Sequence, residues 1–382
     1  TATDPSAIEP MVDVSLPRLG PLAINGRLNA NRQNVAFKGN TRIGETDLKS
    51  TVSIGFSDSR PVIDARLAAT VVNLKDMGIY PEAPPETSAA ASQTKPQQSE
   101  RLFDDTPLPL DALKTVDLFF ALDADKLVAR HITINDLDLD IRLDNGRLRI
   151  HPARLFYAAG FTEVEAIVDA SGSTPEFFLK ITGEDIDIDD LLAHLHRPMI
   201  LSGALTVVVD LESAGSSVRE IAANLNGEFS LALENGRIRR IVDLLSADAF
   251  DLVFSAADRR KYTDLQCLVN KMKFEKGVGN IELFSMDTPK TRVGAAGQIN
   301  LVDERIDVAI QPEKKRRLLK GGSAVQIKGP LTKPAVRTLP SKEAAVLYGK
   351  IVMPYVFLPA RALGSLLGLV QNDKDATACV FE

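Results

Sequence analysis

Tryptophan is absent from this chain and aromatic residues make up only 5% of it. Base stacking on a nucleic acid therefore has few platforms. Neither sign of charge dominates, since 45 Lys+Arg against 51 Asp+Glu leave −6, and no global basic field draws a polyanion. Nucleic acid is excluded as a partner. Cysteine is scarce, with Cys267 and Cys379 the only two. Two readings stay open on composition: a pair of buried unpaired thiols, or one disulfide closing a loop of about 113 residues. Loop entropy values that closure at roughly 4–5 kcal/mol, and it implies an oxidising compartment.

Catalytic signatures are missing as well. No Gly-x-Ser-x-Gly, Walker loop, dinucleotide fingerprint or zinc spacing appears, and no spacing of Ser, His and Asp nominates a triad. The chain is expected not to be an enzyme, with no catalytic residue, no metal and no cofactor. His194 and His196, next to Asp185, Asp187, Asp189 and Asp190, invite a metal reading that fails on geometry. Histidines at i and i+2 do not share a helix face, and an EF-hand loop would need glycine where Asp190 stands. A solvated polar face is the expectation there.

The one long apolar tract, Ile351 to Val370, is broken by Pro354, Pro359 and Arg361. These favour a kinked interfacial or sheet-capping helix within Lys342–Gln371 over a membrane span. The chain opens at Thr1 without Met or an apolar leader, which predicts a processed or excised fragment whose targeting segment or anchor lies upstream.

What the sequence has is alternation. Val116, Leu118, Phe120 and Leu122 alternate with polar residues, as do Leu137, Leu139, Ile141 and Leu143. Later runs repeat the pattern: Val164, Ala166, Val168; Phe177, Leu179, Ile181; Leu205, Val207, Val209, Leu211; Phe229, Leu231, Leu233. Each reads as an antiparallel strand with one apolar face. Between Ile134 and Leu137 the apolar parity changes, which predicts a bulge or turn at Asn135-Asp136. From Val12 to Leu74 short strands are punctuated by turn signals at Leu19-Gly20-Pro21, Asn25-Gly26, Lys38-Gly39-Asn40 and Ser57-Asp58-Ser59. Asp144-Asn145-Gly146-Arg147 and Glu234-Asn235-Gly236-Arg237 both read as hairpin turns.

A further echo has a constant offset. Pro61–Leu67 resembles Pro175–Ile181, and Asn73–Met77 resembles Asp187–Leu191, with 175 − 61 = 114 and 190 − 76 = 114. Repeated strand units stack edge to edge because none closes a core alone. Helices are few: a short one from Asp189 to Leu195, one over Ser217–Ala223 capped by Ser216 or Ser217, and Arg239–Ser255, where apolar residues recur at helical spacing. Pro81–Glu100 is Pro-, Ser-, Gln- and Ala-rich with almost no bulky apolar residue, and reads as a disordered linker or insertion. The expected organisation is an N-terminal β-repeat unit (1–80), the linker (81–100), β-groove repeat units (101–240) and a C-terminal β region with a terminal helix (241–382). Lys314-Lys315-Arg316-Arg317 with Lys320 is the sharpest basic cluster, either a solvated loop or a contact for anionic headgroups.

Leu19–Leu28, Ile43–Lys49 and Asp105–Leu113 resemble, in order, segments of the AsmA-like family of Gram-negative envelope proteins. So do Leu225–Phe229, Glu234–Ile238, Gly297–Leu301, Arg305–Val308 and Ile327–Pro334. The resemblance implies a mainly β fold: an elongated, curved antiparallel sheet of repeated strand units forming an apolar groove, with a few short helices and a C-terminal helix. It implies a periplasmic protein tethered to the inner membrane by an N-terminal helix, and favours the Cys267–Cys379 disulfide. Its partners would be phospholipid, the inner and outer membrane surfaces, and other envelope proteins. No family role is implied for 81–100.

The function expected is a lipid carrier moving phospholipid between inner and outer membranes and supporting outer-membrane integrity. Candidate groove residues are Leu118, Phe120, Leu122, Leu139, Ile141, Leu179, Ile181, Val207, Val209 and Phe229. The same residues would serve a closed core if helices or a second sheet covered them. The competing function is a periplasmic scaffold assisting outer-membrane protein biogenesis, which would cover its apolar face or use a free sheet edge.

Overall fold

The computed structural model describes residues 21–56, 60–77, 101–129, 132–157, 160–194, 201–239, 262–289, 291–314 and 324–339. The expected 81–100 linker, the core of the Arg239–Ser255 helix, the basic cluster beyond Lys314, the Lys342–Gln371 helix, His196 and Cys379 lie outside them. The mainly β class expected from alternation is what the structure shows. Among the described residues there are seventeen strands, two short α-helices and one turn of 3-10 helix.

The chain divides into two compact units, residues 1–99 with 109–175 and residues 100–108 with 176–382. The first holds β1 (Leu22–Ala30), β2 (Asn34–Ile43), β3 (Thr46–Phe56) and β4 (Pro61–Asn73). It continues with the 3-10 turn Leu110–Lys114, then β5 (Asp117–Ala129), β6 (Ile132–Asp144), β7 (Arg147–Tyr157) and β8 (Gly160–Asp169). Each strand pairs with the next in chain order. All pairs are antiparallel except β4–β5. A parallel neighbour needs a long crossover, and residues 74–116 supply it.

The second unit holds β9 (Glu176–Asp187), α1 (Ile188–His194), β10 (Leu201–Ala214), α2 (Val218–Ala223), β11 (Asn226–Arg239), β12 (Tyr262–Glu275) and β13 (Val278–Asp287). It ends with β14 (Thr291–Asn300), β15 (Arg305–Lys314), β16 (Val325–Pro330) and β17 (Ala335–Thr338). Successive strands again pair, here antiparallel throughout. The 114-residue echo reappears as strand spacing. Strands β2, β3 and β4 start at 34, 46 and 61, and 34 + 114 = 148, 46 + 114 = 160 and 61 + 114 = 175. β7, β8 and β9 start at 147, 160 and 176.

Local chemistry sets the ends of these elements. Asp187 Oδ1 accepts from the backbone N–H of Asp189 at 2.9 Å and of Asp190 at 3.4 Å, starting α1. The acidic run is therefore helix-capping chemistry. Ser217 caps α2, its hydroxyl accepting from the N–H of Glu220, as the sequence predicts. Asn145 (φ +50) and Gly146 (φ +82) make the β6–β7 hairpin turn. The parity change in β6 is also a real bulge: Asp136 has φ +48, and the β6–β7 register shifts between Asn135 and Asp138.

Three turn readings are corrected. Glu234–Arg237 is not a hairpin turn; β11 runs through it, with Asn235 left-handed (φ +49) beside a register shift in β10 at Ser202/Ala204. An Asn-Gly pair suits either a two-residue hairpin or an in-strand irregularity, and its neighbours decide. Asn25-Gly26 and Lys38-Gly39-Asn40 are not turns either. They lie inside β1 and β2, where Gly26 and Gly39 face each other. The turns that do close β1–β2 and β2–β3 use Asn31, whose Oδ1 accepts from the N–H groups of Gln33 and Asn34, and Gly44 at φ +59.

Candidate functional site

Directly opposed residues in a ladder project to the same face, so the registers assemble the strands into rows. In the first unit one row reads Ala30, Val35, Ile54, Ile63, Leu118, Leu143, Leu148, Val168. Two residues along, the next reads Leu28, Phe37, Val52, Ala65, Phe120, Ile141, Ile150, Ala166. Both are apolar across all eight strands. A third joins Leu67, Leu122 and Leu139, and a fourth contains Ala69, Ala124 and Leu137.

The opposite face is polar. Its rows include Arg27, Lys38, Thr51, Arg66 and, further along, Asn25, Asn40, Lys49. Ion pairs such as Arg154–Glu163 at 3.0 Å and Arg66–Asp64 at 3.2 Å lie in the open, where such pairs contribute little to stability. A cavity of about 1030 Å³ over β1–β5 is lined by two of these polar rows, with Asn25, Asn40, Arg42, Lys49 and Asp123 among its residues. Ile24, Thr41, Leu48 and Ala69 line it as well.

Burial separates the apolar face from an ordinary closed core. Leu122, Leu137, Leu143, Ala65 and Ala124 are buried, but Leu118, Phe120, Leu139, Ile141, Ile54, Ile63, Leu148 and Val168 are only half-buried. On β1 Leu28 is 66% exposed. Side chains that pack on in-plane neighbours but carry no layer above them show this pattern. Leu74 and Met77, in the turn after β4, pack against its buried cluster of Leu122, Ala124 and Leu137. The 3-10 turn Leu110–Lys114 has no buried residue.

The second unit repeats the design. Ile181, Val209, Phe229, Met272 and Ile281 form one row across five strands. Ile186, Leu205, Leu233, Leu268, Met286, Val293 and Pro312 form another across seven. The latter runs through a tighter core cluster in which Leu233, Leu265, Met286, Val293 and Val325 are buried. Here burial raises the carboxyl of Glu234 above its ordinary range, with the charge of Asp185 adding to it. Burial likewise raises Asp189, with Asp187 adding and Arg237 opposing.

The structure thus gathers the ten sequence-derived groove candidates into two sets. Leu118, Phe120, Leu122, Leu139 and Ile141 share one face in the first unit, with Phe120 opposite Ile141 and Leu122 opposite Leu139. Leu179, Ile181, Val207, Val209 and Phe229 share one face in the second, with Val209 between Ile181 and Phe229. Sequence reasoning missed the contribution of β1–β4 and β7, notably Phe37, Val52, Ile54, Ile63 and Ile150. The signal was the same period-two alternation, but joining it to β5 needs the parallel β4–β5 register, which no local pattern encodes. Cys267 is buried in β12 at 5% exposure.

A mainly β protein of two units, each carrying apolar rows along one face of its own strands, is the class these features define. The chain belongs to the AsmA family, whose description it matches over residues 22–284. It is similar to the AsmA family protein YhjG of Escherichia coli K12, at 22% identity over 343 residues, covering 85% of this chain and 50% of that protein. It is also similar to a methionine synthase of Methanothermobacter thermautotrophicus, at 30% identity over 169 residues, covering 41% of this chain and 49% of that one. The chain therefore spans about half the length of the curated relatives it matches. No solved structure matches it. No helix among the described residues is long and apolar enough to cross a membrane.

Proposed function

We propose that this chain is a non-enzymatic lipid-binding component of the cell envelope that carries phospholipid along its apolar sheet face. The observation that supports the reading is the pair of rows running through Phe120 and Leu118, apolar on all eight strands, with Leu118, Phe120 and Ile141 among the residues left half-buried. An acyl chain needs continuous apolar surface and no specific contact. Each methylene it buries contributes about 0.8 kcal/mol, while its headgroup stays in water at the rim. In this reading Leu118, Phe120, Leu122, Leu139, Ile141, Leu179, Ile181, Val207, Val209 and Phe229 contact the tails. Membership of the AsmA family suggests the envelope, and within it we propose the periplasm, an inner-membrane tether, transfer between the two membranes and a Cys267–Cys379 disulfide.

Native and denaturing mass spectrometry of the purified chain tests the proposal. Co-purified phospholipid, or phospholipid acquired from liposomes, is the expected result. Protein that stays lipid-free after incubation with liposomes would sink it and leave the assembly scaffold as the better account.

A further inference from the structure

The crossover from β4 to β5 does not stay with the strands it joins. Its residues 100–108 belong to the second unit, while 99 and 109 on either side belong to the first. Within the second unit the segment Leu102–Leu108 is held at two places. The carboxylate of Glu304, in the turn between β14 and β15, accepts from two successive backbone N–H groups, those of Leu102 and, at 3.5 Å, Phe103. At the start of α2, the Arg219 guanidinium donates to the carbonyl of Phe103 at 2.8 Å and to the Asp105 carboxylate at 3.5 Å. The Ser217 hydroxyl donates to the same carboxylate at 3.2 Å, and the N–H of Leu108 donates to the Ser216 carbonyl at 2.8 Å.

The two sides of this contact are unequal. The receiving side is fixed without the segment. Ser217 accepts from the N–H of Glu220 at 3.2 Å, and the Glu220 carboxylate accepts from the N–H of Ser216 at 2.6 Å, a reciprocal capping pair. The Glu304 carbonyl accepts from the N–H of Leu331 at 2.7 Å. Ser217 and Glu304 are buried, at 3% and 7% exposure. The segment itself buries little: Leu102 is 55% exposed, Asp104, Asp105, Thr106 and Pro107 are exposed, and Phe103 and Leu108 are half-buried. Asp104 shapes it locally, its Oδ1 accepting from the N–H of Thr106 at 3.1 Å and from the Thr106 hydroxyl at 2.9 Å. The segment is therefore attached by polar contacts rather than by a shared core. Segments attached this way open at less cost than the elements beneath them.

We propose that Ser216–Arg219 and Glu304 form a peptide-docking site whose occupant is this chain's own segment Leu102–Leu108. The segment is held as a latch that opens without unfolding the unit beneath it. The site recognises an acidic, proline-containing segment by chemistry that can be named. A carboxylate takes two adjacent N–H groups, a guanidinium takes a carbonyl and an Asp side chain two residues on, and a backbone carbonyl takes a third N–H. Pro107 forms an antiparallel bridge with Ser217, and lacking an N–H it leaves no donor unmatched there. Closed, the latch pins part of the crossover 74–116 to the second unit. Open, it frees that crossover.

Hydrogen–deuterium exchange of the full 382-residue chain tests this. The amides of Leu102, Phe103 and Leu108 should exchange at least tenfold faster than those of β14 and β15. Their rate should not change in low urea, because local opening exposes little surface, whereas exchange through unfolding of the unit accelerates with urea. Arg219→Ala should speed these amides a further tenfold or more while β14 and β15 keep their rates. Should that variant disturb α2, Asp105→Ala removes two of the same contacts from the segment's side and leaves the site intact; it should act in the same direction. Latch amides that share the rate and urea dependence of β14 and β15 overturn the proposal, since they then belong to the unit's cooperative core. So does a parent chain in which they exchange as fast as in an unstructured peptide, and so does indifference to both substitutions.

Discussion

Gly39 and Gly26 face each other across β1–β2 with no room for a side chain on either. A Cβ on Gly39 would lie 2.3 Å from the carbonyl oxygen of Asn25 and 2.5 Å from the Cα of Gly26, with the Phe37 ring 2.9 Å away. The obstruction is mostly backbone and cannot rotate aside. Gly39→Ala should therefore splay the hairpin that carries the first two strands of the apolar rows. A loss of about 1–3 kcal/mol, typical of overpacking, is expected in urea unfolding of the first unit. A variant as stable as the parent would show that the two strands separate without cost.

Asp76 holds the β2–β3 turn from outside. Its Oδ2 accepts from the N–H of Glu45 at 2.8 Å, the N–H of Thr46 at 3.1 Å and the hydroxyl of Thr46 at 3.2 Å. Thr46 is fully buried, and its hydroxyl also accepts from the N–H of Asn73 at 2.8 Å. Asp76→Ala leaves a buried donor without its partner, at a cost of about 1–3 kcal/mol. Asp76→Asn keeps one acceptor oxygen and should recover part of that. Equilibrium unfolding of the two variants side by side checks both statements.

These two sites mark what could be read from the residues and what could not. Alternation gave the mainly β class, both short helices and the bulge near Asp136, because each is a local consequence of side-chain period or capping. The glycines misled, since Asn25-Gly26 and Gly39 look like turn residues until Phe37 is placed over them. Asn145-Gly146 and Asn235-Gly236 are the same dipeptide with different outcomes, a hairpin turn and an in-strand irregularity. Rows such as Phe37–Val52–Ala65–Phe120 were invisible because register is a non-local quantity, and the β4–β5 pair is parallel across a long crossover. The ten apolar candidates could be picked out singly; their common face could not.

Placing charge on that face separates a lipid surface from a closed core. Leu139 and Ile141 lie on β6 opposite Leu122 and Phe120, and both are half-buried. Leu139→Asp with Ile141→Asp should leave the far-ultraviolet circular dichroism and the unfolding midpoint close to those of the parent, because water reaches the new carboxylates. Phospholipid retention should fall by about tenfold or more, the equivalent of some 1.4 kcal/mol of lost apolar contact. Unfolding of the double variant would instead mean that these side chains belong to a covered core.

Glu234 gives the second unit a pH signature whose sign can be worked out. Burial, then the charge of Asp185, raises its carboxyl above the usual range. The folded state thus binds the proton more tightly than the unfolded one. Stability contributed by the protonated form is present below the unfolded pKa and is lost as pH rises through the folded one. Glu234→Gln removes that dependence. The variant should be the more stable of the two at neutral pH, and the gap should close on acidification. A titration of unfolding midpoint against pH that shows parallel curves would contradict the assignment.

Cys267 lies on β12 directly opposite Glu234 on β11 and Asp287 on β13, so a link to Cys379 would tie the C-terminal segment to the middle of the second unit. The loop it closes is about 113 residues, for which loop entropy predicts roughly 4–5 kcal/mol of stabilisation. Peptide mapping without reductant should recover the two cysteines in one linked pair. Reduction under native conditions should lower the unfolding midpoint of the second unit while leaving that of the first in place. The double variant Cys267→Ser, Cys379→Ser should reproduce the reduced protein and lose all sensitivity to reductant. Two separate alkylated peptides from the unreduced chain would rule the pairing out, and with it the inference of an oxidising compartment.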